Sequence, residues 1–208
     1  MPLRKRSLIE VMFGDDETSI HQTQWTQPAI FAVQMGLAKL LQSWGLQPDA
    51  VLGHSVGQYA AACVAGVMSW QDGLNLISHR GRLIGDLPAG GQMLAVFASI
   101  DAVNAAVDSI DDLALAANNI SHIAVSGPAA AIEAAEAFFA EKSARTKRLK
   151  TSHAFHSNLM EPALAPFAAI ANEIKFNKPQ LPLICNVTGK VLAPDTVLDG
   201  QYLSLIHI

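Results

Sequence analysis

Cysteine is nearly absent from this chain: Cys63 and Cys185 are the only two in 208 residues. They lie far apart and outside any C-x-x-C pair, which argues against a disulfide framework or a structural zinc site and fits a reducing, cytoplasmic setting. Charge is also sparse, at 15% of residues, while half the residues are hydrophobic. Even so, no run approaches the ~18 consecutive apolar residues of a membrane span, so the composition reads as soluble and globular. The basic opening at Arg4, Lys5 and Arg6 is followed by Glu10 and the acidic run Asp15, Asp16 and Glu17, with no long apolar region or cleavage site of a secretory leader. A net charge of −4 gives no general attraction for nucleic acid. The one basic cluster, Arg145 to Lys150, has no interleaved aromatics and reads as a solvated strand or loop edge. The length suits one domain with a substantial core, or one with a smaller domain inserted, and leaves no room for a second full-sized catalytic domain.

Internal repeats and low-complexity tracts are missing as well. What the chain does have is periodicity. From Pro28, the residues Ile30, Val33, Leu37, Leu40, Leu41 and Trp44 recur at three- and four-residue spacing, which predicts a helix burying that face and stopped by Gly45. Pro48 to Gly53 reads as a short buried strand, followed by a sharp turn through His54, Ser55, Val56 and Gly57 into a small-residue helix, Gln58 to Gly66. A further helix is predicted from Trp70 to about Ile84. After Gly90 and Gly91 the pattern becomes strand, Met93 to Phe97; helix, Asp101 to Ile110; strands near Leu113 to Ala117 and Ile123 to Val125; helix, Ala129 to Glu141; and strand, Arg145 to Lys150. This β-α-β-β-α-β order is that of a ferredoxin-like unit. The expected organisation is therefore a large α/β part from 1–91 and 152–202, hydrolase-like around its strand-turn-helix, with a ferredoxin-like insert at 92–151.

Gly53-His54-Ser55-Val56-Gly57 fits G-x-S-x-G, in which a serine sits on a tight strand-to-helix turn and glycines let the neighbouring backbone pass. The following helix start directs backbone N–H groups, that of Val56 above all, at a developing oxyanion. By composition alone the pattern would occur in roughly one chain in fifteen of this length, so the strand before it and the helix after it carry the weight. A serine hydroxyl needs a base. Among the seven histidines, His153 and His156 in Ser152-His153-Ala154-Phe155-His156-Ser157 stand out. A metal pair at i and i+3 is the lesser alternative, since no further Cys or acidic ligands gather nearby. His54, adjacent to the serine, is expected to shape the turn or contact substrate, because neighbouring residues on a turn point apart.

Several segments together resemble a family. Thr26-Gln27-Pro28-Ala29-Ile30-Phe31, Gly53 to Ala61, His79-Arg80-Gly81, Gly91 to Val96, Val125-Ser126-Gly127-Pro128 and His153 to Pro162 are similar, in order and spacing, to the acyltransferase domain of type I polyketide synthases and to bacterial malonyl-CoA:acyl-carrier-protein transacylases. The resemblance runs from about Leu8 to Tyr202. It implies Ser55 as nucleophile, His156 as general base, and Arg80 as the grip on a malonyl carboxylate. It also implies Gln27 as a lining residue of the acyl pocket and, by a looser match, Asn118 as an active-site asparagine. Phe155 in His-Ala-Phe-His and aliphatic Val56 imply malonyl rather than methylmalonyl selection, with Phe155 narrowing the pocket beside the α-carbon. A one-methyl discrimination is worth only about 1–3 kcal/mol, so leakage is expected. Malonyl-CoA is then the substrate and a phosphopantetheine-bearing acyl carrier protein the partner. Neighbouring synthase domains such as a ketosynthase are also implied, with no bound cofactor, metal, nucleic acid or membrane.

Gln58 stands where the family usually has glutamate, a neutral exchange expected to be tolerated. The family also implies flanking segments, upstream and downstream, that this sequence lacks, and residues 203–208 read as a non-native tail with no role for His207. Two rivals stay open. A serine hydrolase or thioesterase would share the turn, but it usually carries an Asp or Glu between serine and histidine in sequence and leaves Arg80 unexplained. An inactive fragment would serve only to dock its neighbours.

Overall fold

The structure is a computed structural model that describes residues 6–186, 188–193 and 195–205. In chain order its elements are α1 (Leu8–Phe13), α2 (Thr23–Ser43), β1 (Val51–Leu52), α3 (Gly57–Val64), α4 (Trp70–Gly85), β2 (Gly91–Phe97), α5 (Ile100–Ser109) and β3 (Ala114–Asn118). Then come β4 (Ile123–Pro128), α6 (Ala129–Glu141), β5 (Arg145–Arg148), α7 (Glu161–Ala171), β6 (Leu183–Ile184) and α8 (Gly200–Leu205). The chain divides into two compact units: the first runs to Gly85 and resumes at Ala165, and the second spans Asp86–Leu164.

In the first unit β1 pairs in parallel with β6, Val51 opposite Leu183. Helices α2, α3 and α4 pack on one another beside it. The small residues Ala60, Ala61 and Ala62 let α3 approach its neighbours closely, and its buried aromatic side chain, Tyr59, meets Phe167 edge-on at 6.3 Å between ring centroids. Leu76 and Ile77 of α4, Leu183 and Leu203 complete this core. Full burial of each such side chain is worth about 1.5–3 kcal/mol.

The second unit is a four-stranded antiparallel sheet in the order β3-β4-β2-β5. Alternation along the strands sends Leu94, Val96, Ile123 and Val125 to one face, where Val103 of α5 and Ile132 and Phe139 of α6 cover them. Ser99 caps α5, its Oγ accepting from the Ala102 N–H at 3.3 Å. Phe139 is fully buried, so truncating it to alanine would cost about 3–5 kcal/mol.

The structure departs from the sequence pattern at several points. The apolar stripe of α2 is not its buried face: Leu37 is 55% and Trp44 67% exposed, while Trp25, Gln27, Pro28, Ala29 and Phe31 are buried. Periodicity identifies an amphipathic face but not which face a neighbour covers, and α4 packs on the other one. The stripe instead borders open clefts, Ile30 and Val33 lining one and Leu41 another. The strand before the turn has only two residues, and its Leu52 is exposed rather than buried. Residues 152–164, read from sequence as part of the large portion, cluster with the second unit. There Ala154 is buried against Gly91, and the single 3-10 turn Asn158–Met160 packs on β4. Leu203, read as the start of a foreign tail, lies in α8 and in the core; residues 206–208 are outside the described residues.

Candidate active site

Ser55 sits between β1 and α3 with φ of +51°, a left-handed conformation that a residue with a Cβ adopts at a cost of about 1–3 kcal/mol. Turn bonds hold it there. The Gly57 N–H donates to the His54 carbonyl and the Gln58 N–H to the Ser55 carbonyl, both at 3.0 Å. Gly53 is obligatory, because a Cβ there would lie 2.2 Å from the Gln58 nitrogen and from the Gly57 carbonyl carbon. Ser55 and Val56 are half-buried and His54 is exposed. Val56 is the N-cap of α3 and makes no side-chain capping bond, and the first N–H groups of the helix, those of Gly57, Gln58 and Tyr59, donate back to the carbonyls of His54, Ser55 and Val56. Beside this turn a cleft of about 610 Å³ runs between α2, β1 and α3, bounded by Gln34, Leu41, Leu52, His54 and Val64 among others.

The same unit buries a charge. Arg80 on α4 is only 2% exposed, yet among the described residues no carboxylate pairs with it. Its Nη1 donates to Gln27 Oε1 at 2.6 Å, and Gln27 Nε2 donates in turn to Thr23 Oγ1 at 2.7 Å. The Tyr59 hydroxyl, which donates to the Leu203 carbonyl at 3.3 Å, neighbours the guanidinium. Among the described residues, none gives the buried Arg80 Nε a hydrogen-bond partner. Burial pulls the arginine pKa below its ordinary value, partly opposed by Tyr59, and burial pushes the Tyr59 phenol well above its usual range. Arginine stays charged in proteins, so this is a desolvated cation with a spare donor. Arg82, two residues on, is exposed and turned toward His79, with Nη2 3.4 Å from His79 Nδ1.

In the second unit His156 has φ of +60° and is half-buried. Among the described residues only Asp112 and Ser143 share a positive φ without being glycine. Ser55 and His156 are thus two of four such positions, and backbone strain of this kind clusters at functional sites. The loop is pinned from inside: Ser157 Oγ donates to the Ala154 carbonyl at 2.7 Å, and Ala154 packs so tightly on Gly91 that a Cβ there would lie 2.6 Å from the Ala154 nitrogen. His153 is 8% exposed, its Nδ1 2.9 Å from Ser152 Oγ and its ring 6.1 Å from that of half-buried Phe155. Asn118 ends β3 and is exposed.

The structure joins Gln27 and Arg80 directly, so Gln27 holds the arginine. Thr23 and Tyr59 complete that group and were overlooked. A tyrosine on an otherwise small-residue helix was the available signal for Tyr59; Thr23, one turn before Gln27, offered only its spacing. Among the described residues no group of three or more metal-ligating side chains gathers, and no helix is long and apolar enough to cross a membrane.

A serine presented at a strand-to-helix turn of an α/β chain, with a buried arginine in the same unit, defines the broad class. A family model described as "Acyl transferase domain" matches residues 4–204, and the chain belongs to that family. It is 46% identical over 196 residues to the phenolphthiocerol synthesis polyketide synthase type I of Mycobacterium marinum, covering 94% of this chain and 9% of that protein. It superimposes with a TM-score of 0.91 and 38% identity on the acyltransferase domain from the second module of the salinomycin polyketide synthase, covering 98% of this chain and 48% of that one. With malonyl CoA-acyl carrier protein transacylase from Clostridium perfringens the TM-score is 0.89 and the identity 27%, covering 96% of this chain and 65% of that one. The chain therefore spans less than a tenth of that synthase and about half of the salinomycin domain.

Proposed function

We propose that this chain moves a malonyl group from coenzyme A, through an ester on Ser55, to the phosphopantetheine thiol of an acyl carrier protein in polyketide or fatty-acid synthesis. In this reading the first unit is the hydrolase-like part and the second a ferredoxin-like insert, a description supported by the strand order β3-β4-β2-β5 with its two covering helices. The setting is a cytoplasmic synthase with neighbouring domains such as a ketosynthase.

The chemistry runs in two halves. His156 takes the Ser55 hydroxyl proton as Oγ attacks the thioester carbonyl, and the Val56 N–H with the start of α3 stabilises the oxyanion. Collapse breaks the C–S bond, and the departing thiolate of coenzyme A takes the proton back from His156. In the second half the carrier thiol gives its proton to His156 and its sulfur attacks the Ser55 ester. Collapse then transfers the malonyl group and returns the proton to Ser55. His54 flanks the turn at the cleft, and Phe155 limits bulk at the α-carbon.

The observation that carries the substrate class is Arg80: a buried guanidinium that among the described residues has an orphan Nε and no carboxylate partner is matched by an acyl group that brings its own carboxylate. Turnover of malonyl-CoA with and without carrier protein tests the reading. Malonyl transfer to the carrier supports it, release of free malonate alone indicates a hydrolase, and no turnover indicates a docking piece.

A further inference from the structure

We infer that Gln58 is the positioning residue that holds the Ser55 turn in its strained conformation. The inference deepens the proposed function and rests on Ser55 being the acylated residue. Gln58 lies in the first turn of α3 and is fully buried. Its Oε1 accepts from the Gly53 N–H at 3.2 Å. Its Nε2 donates to the Ile184 carbonyl at 3.1 Å and to the Tyr202 hydroxyl at 2.8 Å. The Tyr202 oxygen also accepts from the Asn186 N–H at 3.2 Å. One amide thus ties the end of β1, the start of α3, the end of β6 and α8 at a single point.

The Gly53 bond closes a ring of chain, 53 to 58, with Ser55 inside it. The same two residues are pressed together by the close approach that makes Gly53 obligatory, so hydrogen bond and contact fix one geometry. A left-handed serine persists only where its surroundings over-determine it. Gln58 supplies that constraint through its side chain, while its backbone N–H donates to the Ser55 carbonyl at 3.0 Å. Both donors of the amide and its acceptor are used at once, a combination an apolar side chain cannot supply and an ionised carboxylate supplies only in part, so the exchange with the family's usual glutamate, expected from sequence to be neutral, is not neutral in this setting. An ionised glutamate here would still accept from Gly53, but it would face the Ile184 carbonyl with no proton to give. A protonated one would restore a donor. The titratable groups at this junction are the Tyr202 hydroxyl on α8, pushed up to about 12 mainly by burial, and the Cys185 thiol beside it after β6.

The test uses the full chain, a serine-directed fluorophosphonate, and intact-mass readout of the labelling rate per folded molecule, with Ser55→Ala as the control for site. Gln58→Leu should label at least about tenfold more slowly, since misplacement of a reacting atom by about 1 Å can cost 100-fold. Gln58→Glu should label at close to the parent rate in mildly acidic buffer and fall behind the parent as the pH is raised and its carboxyl ionises. An amide that merely fills the core would lower melting temperatures and leave the rate per folded molecule and its pH profile unmoved. Parent-like labelling of Gln58→Leu, or a Glu-to-Gln rate ratio independent of pH, overturns the inference while Ser55 labelling stands. If Gln58→Leu does not fold, the pH ratio of Gln58→Glu decides. If the parent is labelled no differently from Ser55→Ala, the Ser55 reading fails and this inference fails with it.

Discussion

Replacing Arg80 by alanine should change what the protein accepts more than how well it folds. In the folded chain the guanidinium bonds Gln27 at 2.6 Å and, among the described residues, leaves Nε unpaired in a site almost closed to water. Removing it strands Gln27 Oε1, a loss of about 1–3 kcal/mol, but it also removes a desolvated charge, and the two effects oppose one another in stability. Substrate selection has no such offset. A malonyl carboxylate loses a charge-assisted, two-pronged contact worth about 1.5–3 kcal/mol, whereas an acetyl group loses nothing comparable. The ratio of kcat/KM for malonyl-CoA over acetyl-CoA should therefore fall by at least about tenfold, each ~1.4 kcal/mol being a factor of ten. Steady-state transfer to a carrier protein measures both constants. Arg82→Ala, at an exposed site on the same helix, is the control. An unchanged ratio in Arg80→Ala, or the same drop in Arg82→Ala, would refute the assignment of the buried arginine to the carboxylate.

Three further expectations are open to measurement. His156→Ala should slow acylation by about 10²–10⁴-fold, the usual contribution of a general base, while buried His153→Ala should cost less; stopped-flow or quenched acylation compares them, and the reverse order would move the base to His153. Gly53→Ala should destabilise the chain by about 1–3 kcal/mol or more in a denaturant melt, because its Cβ would collide with backbone at 2.2 Å; a neutral result would mean that the turn has room for a Cβ. Glu136 is held below the ordinary carboxylate range first by its hydrogen bonds from Arg148, at 2.6 and 2.9 Å. A lowered folded pKa gives stability that is present above the ordinary carboxylate pKa and lost as pH falls through the folded value. The small deficit of Glu136→Gln in thermal melts should accordingly be seen at neutral pH and vanish in acid.

Local features were legible in the sequence. The α4 periodicity, the alternation of helix and strand from Gly91 to Arg148, and the serine on its strand-to-helix turn are each written within a few consecutive residues, where one principle decides the outcome. What was not legible is long-range. Gln27 and Arg80 stand 53 residues apart, and Gln58 reaches partners 126 and 144 residues away, so no spacing rule could join them. The exposed stripe of α2 failed for a related reason: an apolar period says that a face wants cover, and only the packing of α4 shows which side received it.

The proposed acyl transfer turns first on whether Ser55 carries the acyl group. Intact-mass spectra of the parent and of Ser55→Ala should be recorded after malonyl-CoA and again after a phosphopantetheinylated carrier protein is added. The parent should gain the mass of one malonyl group, mapped to Ser55, and pass it to the carrier, while Ser55→Ala gains none. Equal malonylation of Ser55→Ala, or transfer to the carrier through a parent that never carries the group, would contradict it.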